Sequence, residues 1–290
     1  MARWAARVPE NVEGEFFVDE SCIDCVTCRL VAPATFGAAA RDTAYVHRQP
    51  RTPAEHHRAL MALVSCPTAS IGTRARTDAR AAAAAFPEPL AEDVYYCGYA
   101  AESSFGASSY LIRRADGNVL VDSPRAAEPL LRRIDALGGV RWLFLTHRDD
   151  VADHARLRRR FGCERVLHAA DRTPSTRDVE RLVHGRDTAP LASDLLLIPV
   201  PGHTPGSMAL LHGKFLFTGD HLMGSEDGRT LHASRSVCWY SWPEQTRSME
   251  RLLEHDFEWV LPGHGGRYRA ESAAAMKDEL QRVLARMRET

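Results

Sequence analysis

Two groups of residues in this chain are of types and spacings that could do metal chemistry. The first is Cys22-x2-Cys25-x2-Cys28 with a distant Cys66-Pro67. Three thiolates separated by two residues each can wrap one face of a compact iron–sulfur cluster, and the fourth, after 37 intervening residues, closes it. Pro67 removes a backbone donor and fixes the turn after the ligand. The alternative, a structural zinc site of four cysteines, wants two C-x2-C pairs rather than a triplet and a single.

The second group is a series of His and Asp residues in a fixed order. His147, Arg148, Asp149, Asp150, then Asp153-His154, follow the apolar run ending at Leu145-Thr146. Pro201-Gly202-His203-Thr204-Pro205-Gly206 comes next, then Thr218-Gly219-Asp220, then Leu261-Pro262-Gly263-His264. Each segment follows an apolar stretch of strand character, and Val121-Asp122 follows another earlier in the chain. Ligands at strand ends can converge on one edge of a sheet sandwich. Imidazole and carboxylate donors suit zinc, iron or manganese. A bridging carboxylate could hold two ions a few ångströms apart with a water activated between them.

The elements that must position these residues are legible from local signals. Thr52-Pro53-Ala54-Glu55 predicts a capped helix that runs to about position 64 and stops before Cys66-Pro67. Residues 74–93, rich in Ala and Arg and then Pro, read as a linker with a boundary near Phe86. This divides the chain into 1–85, carrying the cysteines, and 86–290. Beyond it the spacing predicts a hairpin over 108–121 and a helix over 128–137. Strands are expected near 142–145, 165–168, 195–200, 208–211, 215–217 and 259–261. A helix ends at Gly162, Ser241-x-x-Glu244 opens another, and Met276, Leu280, Val283, Leu284 and Met287 share one face of a last helix. Strands with helices between and after them predict sheets sandwiched by helices.

Composition bounds the partners. Hydrophobic residues make up 44% of the 290, enough for a sizeable core, and the net charge is −1. That balance offers no positive field for nucleic acid or an anionic membrane, so neither is expected as a partner. No signal-peptide pattern opens the chain and no apolar run could span a bilayer, so a cytoplasmic protein is expected. In that setting seven Cys are ligands or buried thiols rather than disulfides, Cys97, Cys163 and Cys238 being the buried ones. His168, His221 and His232 read as surface or supporting residues. No Walker loop, G-x-G-x-x-G or G-x-S-x-G is present.

The cysteine run resembles bacterial ferredoxins. It implies a single-cluster α+β ferredoxin-like domain over roughly 14–73, with Cys22, Cys25, Cys28 and Cys66 binding one 4Fe-4S cluster. The His/Asp series, over about 94–269, resembles the metallo-β-lactamase superfamily, especially its glyoxalase II-like and flavodiiron branches. Those carry T-H-x-H-x-D-H, G-H-T-x-G, G-D and G-H in that order. The resemblance implies a four-layer αββα sandwich. It also implies one or two divalent ions (Zn, Fe or Mn) held by His147, Asp149, Asp153, His154, His203, Asp220 and His264, with Asp153 doubling as proton shuttle. This sequence departs from the pattern in one place: five residues, not three, separate His147 from Asp153, and the second His is absent. Asp149, two along from His147, is expected in its place, with Asp150 as rival; a mononuclear site with the first position empty is the alternative. Oxygen there makes the site harder and tilts it from zinc toward iron or manganese.

Three functions follow as expectations. The first is a metallohydrolase in which a metal-bound water attacks an ester, thioester or related carbonyl of a small-molecule substrate, with the cluster as an electron-transfer or regulatory appendage. The second is a non-haem iron oxidoreductase of flavodiiron type, fed with electrons by the cluster and a redox partner. The third is a redox or iron sensor. The hydrolase is the leading expectation because the superfamily is mostly hydrolytic.

Overall fold

A computed structural model describes residues 1–40 and 42–289, which form two compact units. Of these, residues 1–40, 42–141 and 152–163 make up the first, and 142–151 and 164–289 the second. None of the described helices is long and apolar enough to cross a membrane.

The first unit begins with the cysteine-bearing segment. Strand β1 (Phe16–Val18) pairs antiparallel with β4 (Ile71–Thr73), and β2 (Phe36–Ala38) with β3 (Ala44–Val46). Helix α1 (Thr27–Val31) packs on α2 (Pro53–Ser65). Helix α2 starts as its sequence dictates: Thr52 Oγ1 accepts the Glu55 amide at 3.1 Å, and Pro53 takes the first turn, where its missing N–H costs nothing. Phe16, Val18, Val31, Phe36, Val46 and Met61 are buried. The stretch expected to be a linker instead folds into α3 (Arg80–Ala84) and β5 (Glu88–Ala91), with Ala82 and Phe86 wholly buried. Its lack of alternation hid a short Ala helix anchored by one Phe. Strands β5, β6 (Val94–Tyr96), β7 (Tyr110–Ile112) and β8 (Val119–Val121) form an antiparallel meander, β7–β8 being the expected hairpin. Helices α4 (Glu128–Ala136) and α5 (His154–Phe161) complete this unit, α5 ending on left-handed Gly162.

In the second unit β9 (Trp142–Phe144), β10 (Glu164–His168) and β11 (Arg181–Val183) are parallel neighbours. A six-stranded sheet runs β12 (Ala189–Ala192), β13 (Leu195–Pro199), β14 (Met208–His212), β15 (Phe215–Gly219), then β18 (Trp259–Pro262) and β19 (Tyr268–Arg269). A small hairpin of β16 (Met223–Gly224) and β17 (Leu231–His232) lies between β15 and β18 in sequence. Helix α6 (Trp242–Arg251) is capped by Ser241, whose Oγ accepts the Glu244 amide. Helix α7 (Ala273–Glu289) buries the whole apolar stripe Met276, Leu280, Val283, Leu284 and Met287. That stripe packs with Ile198, Leu216, Met249 and Val260 in one core, which holds the strand ends bearing the His and Asp residues in place.

Candidate metal centre

The residues of the second unit converge because of strand pairing. Strands β15 and β18 are parallel neighbours, with Phe217 opposite Leu261 and Gly219 opposite Pro262. Asp220 and His264 therefore leave the sheet at the same end. The Gly263 amide donates to the Gly219 carbonyl at 3.0 Å and holds the two chain ends together. Both glycines are required by space. A Cβ on Gly219 (φ +49°) would lie 2.5 Å from Thr146 Oγ1, and one on Gly263 would lie 2.6 Å from Asp150 Oδ2 and 3.0 Å from Asp220 Oδ1.

His147 is buried just past β9. Its loop is tied down by the Leu145 amide on the Val166 carbonyl and by the Thr146 carbonyl, which accepts the Met208 amide. His147 Nδ1 lies 3.0 Å from Thr146 Oγ1, and His203 Nδ1 donates to the Val237 carbonyl at 2.5 Å. A hydrogen bond at Nδ1 leaves the Nε2 lone pair as the metal-binding face. The Nε2 atoms of both are buried without a hydrogen-bond partner among the described residues and have carboxylates close by. His147 Nε2 is 3.8 Å from Asp220 Oδ2 and 3.8 Å from Asp150 Oδ2; His203 Nε2 is 3.7 Å from Asp220 Oδ2 and 3.4 Å from Asp149 Oδ2. His264 Nδ1 lies 2.9 Å from Asp220 Oδ1 and 3.9 Å from Asp150 Oδ2.

Two ligand-like groups result, His147/His203/Asp220 and Asp150/Asp220/His264, each with donor atoms within 4.8 Å of one another. Asp220 belongs to both. Carboxylates this close disfavour each other's ionised form unless a cation lies among them, and imidazole nitrogens aimed at that space complete a donor set fit for divalent metal.

The electrostatics follow from burial and neighbours. Burial pushes His147 down to about 4, and the nearby His203 adds to this against the pull of Asp220 and Asp149. Burial also acts downward on His203, but Asp149, Asp220 and the Val237 carbonyl outweigh it and raise its pKa. Asp149 is lowered, first by His203. Burial would raise Asp220, yet His264, His147 and His203 together hold it far below the usual carboxylate range. His221, wholly buried beside them, is pushed down to about 3 by burial and then by His203.

Of the expected ligands, His147, Asp149, His203, Asp220 and His264 meet in this unit, and the rival Asp150 meets them too. Asp150 is buried and grouped with Asp220 and His264, whereas Asp149 is about half exposed and lies nearest His203. Asp153 and His154 belong to the first unit. There Asp153 Oδ2 accepts the Ala126 amide at 2.8 Å, and His154 is buried at the start of α5. Sequence reasoning missed Asp171. Its buried carboxylate accepts the Arg148 amide (3.0 Å), the Thr204 hydroxyl (2.6 Å) and the Gly206 amide (2.8 Å), joining the His147 and His203 loops. A lone acid after an apolar strand gave no signal of this.

In the first unit the four cysteines line one cavity with Val18, Ile23 and Ile71. The loop between them turns through left-handed Asp24 and Val26, and all four thiols are free. The Ala44 amide approaches Cys22 Sγ at 3.4 Å and the Ser70 amide approaches Cys66 Sγ at 3.3 Å. Amide donors aimed at sulfur suit thiolates bound to a cluster. Burial raises Cys22, Cys25 and Cys28, with the neighbouring cysteines adding to it, so a cationic centre is needed to hold them ionised. Gly106 (φ +84°) lies against Cys25, where a Cβ would come within 2.4 Å of the Cys25 Cβ, and its carbonyl accepts the Thr27 hydroxyl at 3.2 Å.

Imidazoles and carboxylates thus gather at strand ends around one shared carboxylate, a donor set that could hold divalent metal. Residues 104–264, just over half the chain, match the family model described as metallo-beta-lactamase superfamily. The chain belongs to that superfamily. Residues 18–73 match a second model, the 4Fe-4S single cluster domain of Ferredoxin I. A hydroxyacylglutathione hydrolase of Xanthomonas oryzae pv. oryzae is 31% identical over 153 residues, covering 51% of this chain and 54% of that protein. One of Rhodospirillum rubrum is 32% identical over 141 residues, covering 46% and 54%. The chain thus spans about half the length of the curated relatives it matches. Among solved structures, VMB-1 aligns with TM-score 0.53 at 15% identity, covering 70% of this chain and 95% of that one, a likeness of fold.

Proposed function

We propose that this chain is a metal-dependent hydrolase of small-molecule thioesters or esters, with a 4Fe-4S domain over 1–85 and a metallo-β-lactamase-fold domain over 86–290. The observation that carries this is Asp220, a single carboxylate shared by two ligand-like groups. His147, His203, Asp220, His264 and the acids Asp149 and Asp150 would hold divalent ions there, which would supply Lewis acidity and make water nucleophilic near neutral pH. In the reaction the water oxygen joins the acyl carbon, the C–S bond breaks, and the thiol leaves carrying a proton. Thr146 and Val237 orient the His147 and His203 rings, and Asp171 holds their loops in register. In sequence, Asp153 and His154 stand where the superfamily pattern has its Asp-His pair. The name of the relatives, hydroxyacylglutathione hydrolase, makes glutathione thioesters the first substrates to try.

A second reading is an iron-dependent oxidoreductase supplied by the cluster. It is favoured by Asp149 and Asp150, two hard oxygen donors on the loop where the pattern has imidazole. The test is hydrolysis of a panel of glutathione thioesters by anaerobically purified protein, before and after chelation. Hydrolysis lost on chelation and restored by metal supports the first reading; no turnover of any thioester, with reduction of oxygen or nitric oxide by the reduced protein, supports the second.

A further inference from the structure

We propose that Trp239 and Tyr240 form the recognition surface for a flat, apolar acyl group of the substrate, beside His203. This deepens the hydrolase reading and rests on it.

The segment carrying these two rings is pinned to the His203 loop along its backbone. The amides of Trp239 and Tyr240 both donate to the His203 carbonyl at 3.1 Å, and the Ser241 amide donates to the Gly202 carbonyl at 3.0 Å. The Cys238 thiol donates to the Gly202 carbonyl at 3.2 Å, and the Val237 carbonyl takes the His203 Nδ1 proton. The segment is thus held through its backbone and the Cys238 thiol while the Trp239 and Tyr240 rings stay largely in solvent. Trp239 is 63% exposed and Tyr240 49%, the only large hydrophobic side chains so exposed among the described residues of the second unit. The Trp239 indole N–H and the Tyr240 hydroxyl have no hydrogen-bond partner among the described residues. The Trp239 ring centroid lies 6.2 Å from that of His203, whose Nε2 faces Asp220 and Asp149.

A fold gains by burying Trp, so a rigid backbone that presents Trp and Tyr to solvent keeps that surface for something else. Two side chains are far smaller than the roughly 800 Å² a stable protein partner covers. Their place beside an imidazole of the metal centre suits the part of a small substrate next to the bond that breaks. Aromatic faces select flat apolar groups by stacking and area, so an aryl acyl group is favoured over acetyl.

The test compares S-benzoyl- and S-acetylglutathione on the full, metal-loaded chain and its Trp239→Ala, Trp239→Phe and Tyr240→Ala variants. The ratio of kcat/KM for benzoyl over acetyl should fall about tenfold in Trp239→Ala, in line with the loss of one stacked aromatic, and Trp239→Phe should keep most of it. An unchanged ratio overturns the proposal. Should the wild-type chain hydrolyse neither compound, the hydrolase reading fails on its own. The surface is then tested by calorimetry with the inert thioether S-phenacylglutathione against S-acetonylglutathione. Preferential phenacyl binding lost in Trp239→Ala supports it, and equal binding overturns it. A concentration-dependent dimer that Trp239→Ala dissolves would also overturn it, in favour of a second copy as the occupant.

Discussion

His264 Nδ1 sits 2.9 Å from Asp220 Oδ1, and the two residues leave neighbouring parallel strands at the same end. Because Asp220 also faces His147 and His203, replacing it should disturb every ion of the centre at once. Asp220→Ala should lower affinity for metals outside the cluster by more than about 100-fold, since even supporting groups are worth 10–100-fold. Asp220→Asn, which keeps the shape but not the charge, should also lose metal. Dialysis against a graded chelator series followed by elemental analysis reads this out, and undiminished metal in either variant counts against a shared carboxylate.

Asp149 and Asp150 should separate by which imidazole they serve. Asp150 groups with His264 and Asp220, and Asp149 lies 3.4 Å from His203. Asp150→Ala should weaken an ion bound near His264, while Asp149→Ala weakens one near His203. Cobalt substitution with histidine-resolved NMR distinguishes them. The same pattern from both variants would mean that only one ion is bound.

Asp171 is a positioning residue whose loss should be felt in stability as well as rate. It accepts three hydrogen bonds in a buried setting, so Asp171→Ala strands the Arg148 and Gly206 amides and leaves the Thr204 hydroxyl only Ser207 Oγ, at 2.8 Å. The cost should be about 2–4 kcal/mol from unsatisfied buried donors. Denaturant melts check the stability, and metal affinity checks the loosened His147 and His203 loops. A variant as stable as the wild type, with unchanged metal affinity, removes this role.

Gly106→Ala should lower cluster content without touching a cysteine. A methyl there would come within 2.4 Å of the Cys25 Cβ, at a φ of +84° that alanine rarely adopts. Iron and acid-labile sulfide per chain should fall, with faster bleaching in air. Full, stable loading would show that the Cys25 loop yields freely.

The order of the ligand segments and the helices capped by Thr52 and Ser241 are legible in the amino-acid sequence, because ligand types, Gly positions and caps are local signals. The α7 stripe is legible for the same reason: its 3.6-residue period maps directly onto one buried face. What is not legible depends on distant contacts. Residues 74–93 look structureless locally, yet burial of Phe86 and Ala82 organises them. The inward place of Asp150 comes from how the loop after His147 coils beneath Gly263, a contact with a residue more than a hundred positions away. Asp171 and the Trp239–Tyr240 pair matter through hydrogen bonds to loops remote in sequence, and no spacing rule reports those.

The most direct test of the central claim is elemental analysis of anaerobically purified chain in which Cys22, Cys25, Cys28 and Cys66 are all replaced by Ser, so that no cluster contributes iron. Stoichiometric divalent metal that remains on this protein, and falls away in the Asp220→Ala background, is the predicted result. A cysteine-free chain that is folded by circular dichroism yet holds no stoichiometric metal would contradict the account.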